Sequence, residues 1–110
     1  MLFNAYVEMD DLKKAKQLLD RYPDDFSIHF VYNRLLLELL ENGPTKKAEK
    51  LLKEAKKRNP HVIKYLYDGR WVDSSIPYFT PGDETEAIVY VQDSGHLWWD
   101  DPLDRLRHLL

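Results

Sequence analysis

The sequence predicts an all-α protein: antiparallel helix pairs forming a fragment of an α-solenoid, closed by C-terminal capping helices. Three observations predict it. Apolar residues recur at helical spacing through 11–22, 26–41 and 46–58. Each stretch stops at a residue that ends helices: Pro23, Gly43 followed by Pro44, and Pro60. The word Ala15-x3-Leu19-x2-Tyr22 returns 33 residues later as Ala48-x3-Leu52-x2-Ala55.

Taken in order, Met1–Glu8 reads as the tail of a helix, so the chain begins partway through a repeat. Over 11–22, Leu12, Ala15, Leu18, Leu19 and Tyr22 share one face, and Asp10 or Asp11 caps the free N–H groups of the first turn. The stretch 26–41 follows an Asp24-Asp25 cap and is apolar nearly all round, the mark of a helix buried on several sides. Asn42-Gly43 is a left-handed stop, and Pro44-Thr45 opens the next helix. In 46–58, Ala48, Leu51, Leu52 and Ala55 face inward and lysines cover the other side. Lys56, Lys57 and Arg58 complement the dipole in the last turn.

A period near 34 residues, with small residues where helices touch, is the tetratricopeptide (TPR) pattern, so the pairs are TPR-like. The repeats, residues 1–60, are too few to bury their own faces, since about three are usually needed. The C-terminal third is expected to cover them. There His61–Tyr67 reads as a short helix with Asn59 as cap and Pro60 near its first position. It is expected to lay Val62, Ile63 and Leu66 over the end of helix 46–58. Residues 68–82 read as a loop pinned by Ile76, Tyr78 and Phe79. Overlapping cap signals, Thr80 with Asp83 and Asp83 with Glu86, open a helix over about 84–99, and Asp101-Pro102 starts a last one. Propensity alone pulls the other way: Ile88, Val89, Tyr90 and Val91 favour strand.

The words YNRLLLELLENG, NPHVIKYL and PGDETEAIVYV stand in that order. Asn59, Pro60, His61, Val62, Tyr65 and Leu66, then Gly82, Asp83, Glu86, Ala87 and Tyr90, then Trp98, carry a resemblance. It is to the C-terminal region of TPR-type helical proteins, bacterial ones and the suppressor-of-tumorigenicity family. The resemblance runs from residue 15 to about 103, with Ile63 where such relatives often carry proline. It implies a last repeat running into a helical cap, which tips 84–99 to helix. It implies no activity.

Composition bounds the function. The 110 residues carry a net charge of −3, which draws the whole molecule to neither nucleic acid nor anionic membrane. With no cysteine there is no disulfide and no thiolate metal site, which fits a cytoplasmic location. No apolar run reaches the roughly 18 residues of a membrane-crossing helix. His29, His61, His96 and His108 have no second ligand at helical spacing, so no metal or cofactor is expected. Asp100, Asp101 and Asp104 beside Trp98 and Trp99 admit an acid/base reading with His96, but helix N-terminal roles around Pro102 explain them without catalysis. The lysines from 46 to 57 lack the interleaved aromatics of a nucleic-acid groove and read as a solvated face.

Surface recognition remains. With Tyr32, Leu35, Leu36 and Leu39 packed inside, Phe30, Asn33, Arg34, Leu37 and Glu41 would face the concave side, where Asn33 and Arg34 could bond an extended peptide or carboxylate. The competing reading fills that groove with the chain's own tail. Trp98 and Trp99 are adjacent and cannot share a helix face, so one packs inward and the other is open to another chain. The expectation is a single-domain, non-enzymatic module for protein–protein interaction, with 61–110 as its cap. The alternative is a structural cap of a longer repeat protein, or a self-association module forming a homo-oligomer.

Overall fold

In the computed structural model the described residues are 2–67 and 84–110. Among them the chain is helical, with no strand: α1 (Leu2–Glu8), α2 (Leu12–Asp20), α3 (Ile28–Asn42), α4 (Lys46–Arg58), α5 (Val62–Tyr67), α6 (Glu84–Ser94), a 3₁₀ turn (Gly95–Leu97) and α7 (Asp101–Arg107). The strand propensity of Ile88–Val91 is overridden, because Ala87, Tyr90 and Val91 bury on one helical face. The expected loop over 68–82, its pinning residues and the Thr80–Asp83 cap lie outside the described residues.

α3 is the hub. It pairs with α2 and α4 and carries α6 and α7 on its other sides. Tyr32, Leu35, Leu36 and Leu39 are wholly buried, and so are Ala15, Ala48 and Ala55 on the flanking helices. A methyl in place of a larger side chain lets a neighbouring helix approach closely.

The caps follow the sequence in part. Asp11, not Asp10, closes α2: its Oδ1 accepts from Lys14 N at 3.2 Å, while Asp10 takes a left-handed φ of 57°. Thr45 Oγ1 accepts from Ala48 N at 3.1 Å. Gly43 does stop α3, but with φ 79° and ψ −158°, a region open only to glycine and not the left-handed helical one. The expected start of α3 at 26 is two residues early. Asp25 Oδ1 accepts from Ser27 N at 2.9 Å, a local turn that competes with helix. Phe26 therefore stays outside and 58% exposed, and Tyr22, beyond the end of α2, is 49% exposed and not inward.

The C-terminal part attaches through a buried polar junction. Asn59, fully buried, accepts from His61 N at 2.9 Å through Oδ1 and donates through Nδ2 to Glu86 Oε1 at 3.2 Å. Its carbonyl accepts from the Tyr32 hydroxyl. Arg58 binds both oxygens of Glu86, at 2.7 and 2.8 Å. The expected pairing of Asp83 with Glu86 at the helix start lies outside the described residues; the Glu86 carboxylate links α6 to α4. α5 packs chiefly on α6. The helix expected to run to 99 breaks at Gly95, where a Cβ would meet Val91 Cγ1 at 2.9 Å. The chain then turns through Trp98 into α7, whose Arg105 donates to the carbonyls of Leu39 and Leu40 on α3.

Two predictions follow from these buried groups. Arg58→Met leaves the Glu86 carboxylate buried without its cation and should cost about 2–3 kcal/mol in urea unfolding. Adding Glu86→Leu should recover part of that loss, since the stranded charge is the main penalty. Burial also raises the Tyr32 and Tyr90 hydroxyls well above the usual phenol range. Above about pH 10 the unfolded phenols lose protons that the folded chain keeps, so stability should fall as pH rises. Phenolate absorbance should show these two tyrosines ionising only as helical circular dichroism is lost.

Candidate partner-binding cleft

Helix geometry splits the outer residues of α3 into two arcs. At about 100° per residue, His29, Tyr32, Asn33 and Leu36 fall on one side. Phe30, Arg34, Leu37 and Glu41 fall on another.

The first arc is occupied by the chain itself. Asn33 is fully buried, and its Oδ1 accepts from the Tyr90 hydroxyl at 2.8 Å. That hydroxyl accepts in turn from Trp98 Nε1 at 3.0 Å. His29 Nε2 lies 3.2 Å from Asp93 Oδ2, and its ring meets Tyr90 edge to face. On α1, Asn4 Nδ2 donates to the Asp93 carbonyl at 3.1 Å, and Glu8 sits 2.7 Å from His96 Nε2. α6 and the 3₁₀ turn thus lie along α1 and α3, the first helix of each pair. The concave side expected for a partner is filled there. Asn33 and Trp98 belong to that internal packing and present no free surface.

The second arc opens on a cleft of about 330 Å³ between α2, α3 and α4. Leu19, Leu37 and Leu51 supply its aliphatic side chains. Lys16 and Asp20 from α2, Arg34, Glu38, Glu41 and Asn42 from α3, and Lys47 from α4 supply the polar rim. Arg34, Leu37 and Glu41 all line this cleft, Leu37 as a core residue only 6% exposed, and Asn33 does not. The other rim residues were missed. A signal existed: Lys16 follows Ala15 and Lys47 precedes Ala48, the small residues on the helices that flank α3.

Arg34 is fixed at one end of the cleft. It donates to the Tyr22 carbonyl at 2.9 Å, and its guanidinium carbon lies 5.7 and 5.6 Å from the Phe26 and Phe30 ring centres. Tyr22 meets Phe30 edge to face at 5.8 Å. Such cation–π contacts hold an exposed arginine in one orientation. The Asp25 carboxyl is held below the usual carboxylate range, first by the Ser27 N–H and also by Arg34. Glu38 accepts from Asn42 Nδ2 at 3.0 Å and Thr45 Oγ1 at 2.6 Å.

Other candidates are not assembled into a site. His96 Nε2 lies 2.7 Å from Glu8 Oε1, and Asp101 pairs with Arg105 at 3.1 Å. No cluster of potential metal ligands occurs among the described residues, and no helix among them is long and apolar enough to cross a membrane. Trp99 is 51% exposed beside fully buried Trp98. No family model, curated protein or solved structure matches the chain.

The two arcs should respond differently to truncation. Asn33→Ala removes the acceptor of the buried Tyr90 hydroxyl and should cost about 2 kcal/mol. Glu41→Ala, exposed on the rim, should change stability by less than about 0.5 kcal/mol by thermal melting.

Proposed function

We propose that the chain is a TPR-like, non-catalytic helical module that binds a segment of a partner protein in the cleft between α2, α3 and α4, in a reducing compartment such as the cytoplasm. The TPR-like assignment is supported by two helix hairpins, α1–α2 and α3–α4, with Ala15 and Ala48 wholly buried at matching positions. The cysteine-free composition fits the compartment.

One observation carries the binding role. The cleft, with half-buried Leu51 in its lining, adjoins exposed Tyr22 and Phe26, which Arg34 ties together through the Tyr22 carbonyl and the Phe26 ring. Its volume is in the range of ligand pockets, roughly 300–1,000 Å³. Tyr and Arg are over-represented among the residues that dominate protein interfaces, and rigid anchors lose little entropy on binding. The cap formed by α6, the 3₁₀ turn and α7 leaves this side of α3 open.

The test is selection from a random peptide display library against the intact chain. Selected peptides should lose binding, at least about tenfold, to Leu51→Asp and to the Tyr22→Ser/Phe26→Ser pair, with circular dichroism confirming that each variant is folded. Binders indifferent to every cleft and edge substitution would remove this reading.

A further inference from the structure

We propose that Asn42 is a latent modification site: it converts by intramolecular deamidation when the link between α3 and α4 opens, and Glu38 keeps that link closed in the folded chain. The inference is independent of what the cleft binds. Asn42 alone among the asparagines precedes glycine; Asn4, Asn33 and Asn59 precede alanine, arginine and proline. Glycine has no Cβ to hinder approach of its nitrogen. The reaction needs water and no enzyme. The Gly43 nitrogen loses its proton to solvent and attacks Cγ of the Asn42 side chain. The Cγ–Nδ2 bond breaks, and ammonia leaves with a proton taken from solvent, closing a succinimide ring. Water then adds to either ring carbonyl, giving aspartate or isoaspartate.

The fold withholds both reacting groups. Gly43 is buried, and its N–H donates to the carbonyls of Glu38 and Leu39, each at 3.1 Å, so the proton that must be lost is engaged. Asn42 is the last residue of α3, and its Nδ2 donates to Glu38 Oε1 at 3.0 Å. Glu38 is 7% exposed, and its other oxygen accepts from Thr45 Oγ1 at 2.6 Å. Thr45 Oγ1 in turn accepts from Ala48 N and caps α4. One carboxylate thus ties the end of α3 to the start of α4 and pins the nitrogen that would leave. Deamidation waits on local opening of this junction.

The product cannot remake the link. Aspartate at 42 offers an oxygen where Glu38 needs a donor, and two carboxylates at hydrogen-bond distance repel when both are ionised. Isoaspartate also lengthens the main chain by a carbon just before Gly43, whose φ of 79° and two N–H bonds end α3. Each product weakens the junction that protected its precursor, so conversion is self-reinforcing.

The intact chain and a capped peptide of residues 40–46 are incubated side by side in mildly alkaline buffer. Conversion in the chain is read by mass spectrometry of the tryptic fragment 35–46, in which Asn42 is the only asparagine. The folded chain should convert at least about tenfold more slowly than the peptide, since the open junction is a minor state, and the two rates should meet in denaturing urea. Glu38→Ala, or Thr45→Val if that variant does not fold, should raise the folded-chain rate about threefold or more, with circular dichroism still helical. Equal rates for folded chain and peptide overturn the proposal, and so does an unchanged rate in the folded clamp variant. The effect of the product is read separately. Asn42→Asp should lower the melting temperature, and adding Glu38→Gln, which returns a donor to face the new carboxylate, should recover part of the drop. An Asn42→Asp chain as stable as its parent, or no recovery in the pair, overturns the role given to Glu38.

Discussion

The attachment of the C-terminal helices depends on Asn59. Its backbone N–H ends α4 on the Ala55 carbonyl, and its other three polar groups reach further: the carbonyl takes the Tyr32 hydroxyl of α3, Oδ1 takes the His61 N–H just before α5, and Nδ2 reaches Glu86 on α6. Pro60 follows with a fixed φ and no N–H to satisfy. A side chain without both a donor and an acceptor at that place would leave buried partners unmatched. Because Glu86 also takes Arg58, the end of α4, the start of α5 and the first turn of α6 are set by one polar cluster within an otherwise apolar interface. A satisfied cluster of this kind gives a unique arrangement where leucines alone would allow sliding.

α3 shows how one helix can serve interior and surface at once. Its fully buried arc builds the core, and the arc through His29 and Asn33 is covered by α6. The arc through Arg34, Leu37 and Glu41 stays open between α2 and α4. Asn33 and Arg34 are polar neighbours in sequence, yet they end in opposite circumstances. The difference is the rotation between successive residues of a helix, together with what is packed on each side.

That contrast marks how far the sequence could be read. The helices, their stops and the inward Ala/Leu faces were legible, because periodicity and capping act over a few residues. The inside positions of Tyr32, Leu35, Leu36 and Leu39 were legible for the same reason. The partners of Asn33, Glu86 and Trp98 were not, since those bonds join residues 57, 28 and 8 positions apart and depend on how helices are laid together. Asn33 offered a weak hint, a polar residue adjoining the apolar arc of His29, Tyr32 and Leu36. Glu86 was read through a local capping rule, which carries no word of the Arg58 that takes both its oxygens. The break at Gly95 was missed although glycine is itself a poor helix former; the close approach of Val91, which leaves no room for a Cβ at 95, was not legible. Within the cleft, the α3 residues were accessible to pattern reasoning, and the flanking Lys16, Asp20 and Lys47 required knowing which helices stand on either side.

The bonds from Asn4 and Glu8 to residues 93–96 tie α1 to a part of the chain made much later. α1 packs at once on α2, its neighbour in sequence, but the flank that carries Asn4 and Glu8 is closed only when residues 93–96 have been made. Contacts of such separation are slow to form, because a long loop must be ordered before they reward it. The hairpins α1–α2 and α3–α4 can assemble as they appear, and the closing step waits for the end of α6 and the 3₁₀ turn, so the flank of α1 that meets them stays open longest.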